Sequence, residues 1–175
     1  MKDRRGFTLI EIMIALTIAG IVGIIATTNF SSWQSHYTAV GFQREFLSQV
    51  NEARTRSLGA SLQHRLLIDM NAETATLQRG NLGTASSGWT NVKPAVVGSR
   101  GAGIARIDNC AVTGPLVAFL MNPNGEVLVQ DITAGTPLSP LTQANVRIDA
   151  TNVADQSTIR VYGWTSKARL VNGWL

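Results

Sequence analysis

Between Phe7 and Ala26 the sequence holds one ionisable side chain, Glu11, in a run otherwise made of apolar, small and hydroxyl residues. A carboxylate inside such a segment costs about 2.5–3.5 kcal/mol on insertion scales, so it needs water or a partner. Two chemistries fit. Either Glu11 lies wet at the edge of the headgroups, or it meets a fixed positive charge and each ion offsets the other's desolvation. A second set of candidates stands at the far end of the chain. Arg160, Lys167 and Arg169 have Tyr162 and Trp164 between them, and no acid follows Asp155. Cations beside aromatics are the minimal kit for gripping a phosphate backbone and stacking a base, that is, for DNA contact. The plainer reading is three solvated charges on a last strand.

Catalytic and metal chemistry finds no constellation. His36, His64 and Cys110 are far apart and match no zinc spacing. No Gly-x-Ser-x-Gly elbow occurs. Gly101-Ala102-Gly103-Ile104-Ala105-Arg106 places Arg where a dinucleotide loop needs its third Gly. The acids after Leu58 are scattered. The expectation is a non-enzyme with no metal and no cofactor. Cys110 has no second cysteine to close an internal disulfide. It reads as a small buried side chain or as half of an intermolecular bridge.

The element that must position Glu11 is a helix. Residues 7–26 at 1.5 Å rise make roughly 30 Å, one bilayer core. A secretory signal has a shorter apolar region and a small-x-small cleavage site, and neither fits. Lys2, Arg4 and Arg5 at the head predict a cytoplasmic N-terminus with the remainder exported. All five prolines come at position 94 or later, which predicts one continuous helix from Phe7 to Leu58. Residues 7–26 form its transmembrane half, where Ala15, Ala19, Gly23 and Thr27 repeat every four residues as a small-residue packing ridge. Residues 27–58 form an amphipathic half with Phe30, Trp33, Tyr37 and Val40, then Phe46, Leu47, Val50, Ala53 and Leu58, on its apolar stripe. The first three aromatics suit either an interfacial belt or burial against other helices or the head.

Gly6-Phe7-Thr8-Leu9-Ile10-Glu11, after a short basic leader, resembles the processing motif of type IV pilins and type II secretion pseudopilins. The resemblance implies that prepilin peptidase removes residues 1–6 by cutting between Gly6 and Phe7. It also implies N-methylation of the new Phe7 amine and retention of Glu11 for assembly. That amine would lie one helical turn from Glu11, or be presented to it by a neighbouring subunit. Major pilins often carry a helix-breaking Pro near Thr28, which this chain lacks. The stretch Phe46–Leu58, with its Ala53-Arg54 pair, resembles the helix exit of the GspH/FimT (FimU) minor pilins and pseudopilins. Net charge is +4, but without Lys2, Asp3, Arg4 and Arg5 the counts fall to 12 basic against 10 acidic.

Residues 59–175 read as a β-rich head. His64–Asp69 and Thr74–Arg79 form a hairpin about Met70–Glu73. Gly80–Gly103 reads as loop with one strand, near Trp89 or at Ala95–Val97. Leu116–Met121 and Glu126–Gln130 flank Asn122-Pro123-Asn124-Gly125, a turn in which Pro presets φ and Asn and Gly tolerate positive φ. Asn145–Ala150, Ser157–Tyr162 and a final strand ending near Val171 follow. The fold class is α+β, pilin-like, with one long helix packed on an antiparallel sheet. The implied partners are prepilin peptidase, other minor pilins or pseudopilins, an inner-membrane assembly platform and membrane lipid. Some FimT-like minor pilins resemble this chain in a basic C-terminal element linked to DNA uptake, and Ser166-Lys167-Ala168-Arg169 stands at that place.

Overall fold

The computed structural model describes residues 8–98 and 101–174, apart from the side chains of Ala26, Thr28 and Asn29. Gly6 and Phe7 lie outside the described residues. Helix α1, Leu9–Ala60, runs without a break for 52 residues, as the absence of proline requires. The chain divides into two compact units, Met1–Gln34 and Ser35–Leu175.

In the first unit the large apolar side chains face outward: Leu9 is 78% exposed, Leu16 68% and Ile24 69%. This helix is long and apolar enough to cross a membrane. Phe30 and Trp33 are exposed, with ring centroids 5.9 Å apart.

The second unit contains the rest of α1 and two antiparallel sheets. The first sheet contains β1 (His64–Asp69), β2 (Thr74–Gly80), β3 (Trp89–Asn91), β4 (Val96–Val97), β6 (Leu116–Met121), β7 (Val127–Asp131) and β8 (Ser139–Pro140). Its order is β3-β2-β1-β6-β7-β8, with β4 also on β2. The second sheet contains β5 (Ala102–Asp108), β9 (Gln143–Ala150), β10 (Ser157–Tyr162) and β11 (Ala168–Asn172), in the order β11-β10-β9-β5. A 3-10 turn, Val153–Asp155, joins β9 to β10.

One core serves all three layers. On α1, Ala39, Phe42, Phe46, Val50 and Ala53 repeat at three and four residues and are buried. They join Leu66 and Ile68 of β1, Leu77 of β2, Phe119 of β6, Val146 and Ile148 of β9, and Ile159 and Val161 of β10. The stripe thus departs from its sequence reading: Tyr37 is 58% exposed and Leu58 45% exposed, while Ala39 and Phe42 carry the buried face. The sheets are stitched where Gly163 follows β10. Val127 N–H donates to the Gly163 carbonyl at 2.9 Å, and Gly163 N–H donates to Thr142 O at 3.0 Å.

Two further departures from the sequence reading appear, and one short edge strand joins them. The Gly80–Gly103 stretch forms two short strands, β3 and β4, where one was expected. Strand β5 occupies the stretch set aside as a failed dinucleotide loop. Its two-residue alternation is interrupted by a bulge between Ile104 and Arg106, which hides a strand from pattern reading. Strand β8 is only two residues and contains Pro140 at the sheet edge, where the missing N–H is harmless.

Candidate assembly site

Glu11 sits in the first turn of α1. Thr8 stands just before the helix: its carbonyl accepts from Ile12 N–H at 3.3 Å, and its hydroxyl oxygen accepts from Glu11 N–H at 3.3 Å. In return Glu11 Oε2 accepts from Thr8 N–H and from the Thr8 hydroxyl, each at 2.8 Å. This is a capping box, in which residues three apart satisfy each other's orphan donors at a helix start. The sequence signal was present as Thr8-Leu9-Ile10-Glu11, and reading Glu11 only as a membrane acid missed it. The cap folds the carboxylate back toward the helix N-terminus, where the macrodipole favours negative charge.

Along the same face, Glu11, Ile12, Ala15, Leu16 and Ala19 line a shallow groove that is mostly apolar. Ala15 and Ala19 therefore fall beside Glu11, as the four-residue spacing predicts. Gly20 and Gly23 have nothing within 4 Å of a built Cβ, so their surface is open to a close-packing neighbour. A carboxylate held at the head of a mostly apolar face suits helix–helix association.

The C-terminal candidates are brought partly together. Arg160 on β10 and Arg169 on β11 are register partners, so they share one face of the second sheet. Arg160 is half-buried and Arg169 exposed. Tyr162 N–H donates to Lys167 O at 2.9 Å, closing the turn on which Trp164 stands 79% exposed. That face is shared with Arg106 and Arg147, and Asp108 pairs with both, at 3.3 and 2.5 Å. Arg147 also lies over Trp174, 5.7 Å from the ring centroid.

The remaining candidates serve the fold. His36 Nδ1 and Asp155 Oδ1 are 2.6 Å apart, tying α1 to the 3-10 turn. Cys110 is half-buried against the core, and burial together with nearby Asp108 pushes its thiol up to about 11. Among the described residues no group of three His, Cys, Asp or Glu side chains could hold a metal ion.

Comparison with known proteins now adds to this geometry. Residues 1–27 match the family described as the prokaryotic N-terminal methylation motif. The fold is similar to that of the minor pseudopilin EpsH from the type 2 secretion system of Vibrio cholerae. The TM-score is 0.51 and the identity 14%, over 76% of this chain and 94% of that one. The fold is pilin-like, and the chain begins with a prepilin-type methylation motif. At this identity the likeness to EpsH is one of fold, and the methylation motif is the independent second finding. No curated protein matches the sequence. Neither comparison supports the nucleic-acid reading of Arg160, Lys167 and Arg169.

Proposed function

We propose that this chain is a structural minor pilin or pseudopilin of the GspH/FimT type, a subunit of a type IV pilus or a type II secretion pseudopilus. Prepilin peptidase cuts between Gly6 and Phe7, and the Phe7 amine is then methylated. The subunit waits in the bacterial inner membrane with its N-terminus cytoplasmic and its head periplasmic. An inner-membrane platform then draws it among other pilin-like subunits. The observation that carries this reading is the capped Glu11 at the head of the Ala15–Ala19 groove, on a helix whose large apolar side chains are exposed. In lipid that acid is costly. Beside a cationic amine in a helix bundle it is satisfied, so assembly is favoured over dispersal.

The test has two readouts. Mass spectrometry of the mature protein should find a methylated Phe7 at the N-terminus, and a start anywhere else overturns the processing. Glu11→Gln should be processed normally yet be depleted from fibres sheared or cross-linked out of cells. Full incorporation of that variant would remove Glu11 from assembly.

A further inference from the structure

A polar cleft in the head has no role in the reading above. Arg56 near the end of α1, His64 at the start of β1 and Arg79 of β2 line it, with Thr90, Asn91 and Val92 along one wall. Thr55, Gly59 and Ala60 of the helix extend it on the other side. His64 and Arg79 are register partners. Both therefore leave the sheet on the side of the buried Leu66–Ile68 and Ala75–Leu77 pairs, the side that packs on α1. The apolar inner face thus ends in a basic pair, and the small Gly59 and Ala60 leave that end open.

The charge is unbalanced. Arg56 pairs with Glu52 at 2.8 Å. Arg79 is exposed and has no carboxylate within ion-pair distance among the described residues. His64 is 2% exposed, and its Nδ1 lies 3.1 Å from Leu62 O, which leaves Nε2 as the ring nitrogen free to serve the cleft. Burial first, and then Arg56 and Arg79, hold the imidazole below its ordinary pKa, as expected of a cationic niche awaiting an anion. The part walled by Thr90, Asn91 and Val92 holds about 260 Å³, ample for one side-chain carboxylate. An arginine fork matches such an oxyanion in two parallel hydrogen bonds.

We propose that the Arg56–His64–Arg79 cleft is a socket for an acidic side chain of a neighbouring pilin-like subunit, with Arg79 as its principal anchor. This rests on the assembly reading. A carboxylate tethered on a sister subunit reaches a high effective concentration that a free anion lacks. Inorganic or lipid phosphate shares the chemistry, and the test separates them.

In cells, Arg79→Glu in the full chain should lower the fibre-associated fraction about tenfold, since reversing one partner of a close charge pair costs at least that factor. Arg106→Gln, on the other sheet, should leave the fraction unchanged. The Arg79→Glu chain should be processed at Phe7 and should melt within a degree or two of the parent, because the side chain is exposed. An acid-to-Arg change in a co-assembled subunit should restore incorporation. In parallel, NMR of the full chain in micelles should show acetate shifting the His64 ring and raising its pKa, and Arg79→Glu should remove that response. If Arg79→Glu incorporates like the parent while inorganic phosphate or anionic-lipid bicelles still titrate His64, the socket serves phosphate and the proposal is overturned. If the parent itself never enters fibres, the assembly reading fails and takes this one with it.

Discussion

Two carboxylates in this chain meet opposite fates. Asp131, at the end of β7, is fully buried and accepts from Thr113 N–H at 2.8 Å, Gly114 N–H at 2.6 Å and Ala134 N–H at 2.9 Å. All of these donors lie within the head, three of them backbone N–H groups, with the Thr113 hydroxyl a longer fourth at 3.5 Å. Among the described residues, Glu11 accepts only from Thr8, with exposed apolar neighbours around it. The same contrast runs along α1: Phe46, Val50 and Ala53 are sealed against the two sheets, while Ile14, Ile18 and Ile21 are more than half exposed. The head seals its apolar core within itself. The first half of the helix leaves its large apolar side chains exposed, as the proposed assembly would use them.

The largest test of that contrast removes one side chain from each half. Phe46→Ala should cost about 3–5 kcal/mol in urea unfolding of the head, as truncation of a sealed aromatic does. Ile18→Ala should move the same transition by less than about 0.5 kcal/mol while weakening retention in the assembled bundle. Equal effects on the head would break the comparison.

The next test probes where the head closes on itself. A Cβ at Gly163 would overlap the Leu141 carbonyl, a backbone atom that cannot rotate away. Gly163→Ala should therefore destabilise by about 1–3 kcal/mol. Gly41, in mid-helix, has nothing within 4 Å of a built Cβ, so Gly41→Ala should stabilise by up to about 1 kcal/mol. Thermal melts of the purified protein compare the two signs directly.

Much of this was legible in the sequence, and the misses share a cause. Strands His64–Asp69, Leu116–Met121 and Ser157–Tyr162 begin and end where alternation and turn residues place them. Strand β5 was lost because its bulge breaks the alternation by one residue. The division into two sheets depends on pairings such as β1 with β6 and β5 with β9, which no local pattern encodes. On α1 the reading of Phe46, Val50 and Ala53 as inner-face residues holds, while Phe30, Trp33 and Tyr37 lie exposed on another face and the inner stripe starts at Ala39 and Phe42. Glu11 was legible as an oddity, but its bond to Thr8 was not, because a membrane acid and a helix cap present the same residue type. The Arg56–His64–Arg79 cleft joins three elements and is invisible to spacing alone.

Asp131 itself gives a pH test. Its three backbone donors hold the carboxyl down at about 2. A folded pKa below the unfolded value means the contribution is present above the ordinary carboxylate pKa and is lost as pH falls from there towards 2. Asp131→Asn should be clearly less stable than the parent at pH 6, and the two unfolding midpoints should converge between about pH 4 and pH 2. A constant gap across that range would assign the loss to shape instead of charge.

The smallest effect belongs to the outer surface of the same helix. Lys93, in the loop after β3, reaches Glu52 Oε2 at 2.8 Å and Glu45 Oε1 at 3.2 Å. Its hydrogen bond to Glu52 raises the Lys93 pKa and lowers that of Glu52. These side chains are a quarter to a half exposed, so Lys93→Met should cost only about 0.2–1 kcal/mol. Glu52 also pairs with Arg56, so Glu52→Gln, like Lys93→Met, removes two ion pairs and should cost a similar amount. Both gaps should shrink near 1 M salt, where screening acts over about 3 Å. A Lys93→Met deficit that persists there would mean the lysine stem packs the loop onto α1, placing this contact with the sealed half of the comparison.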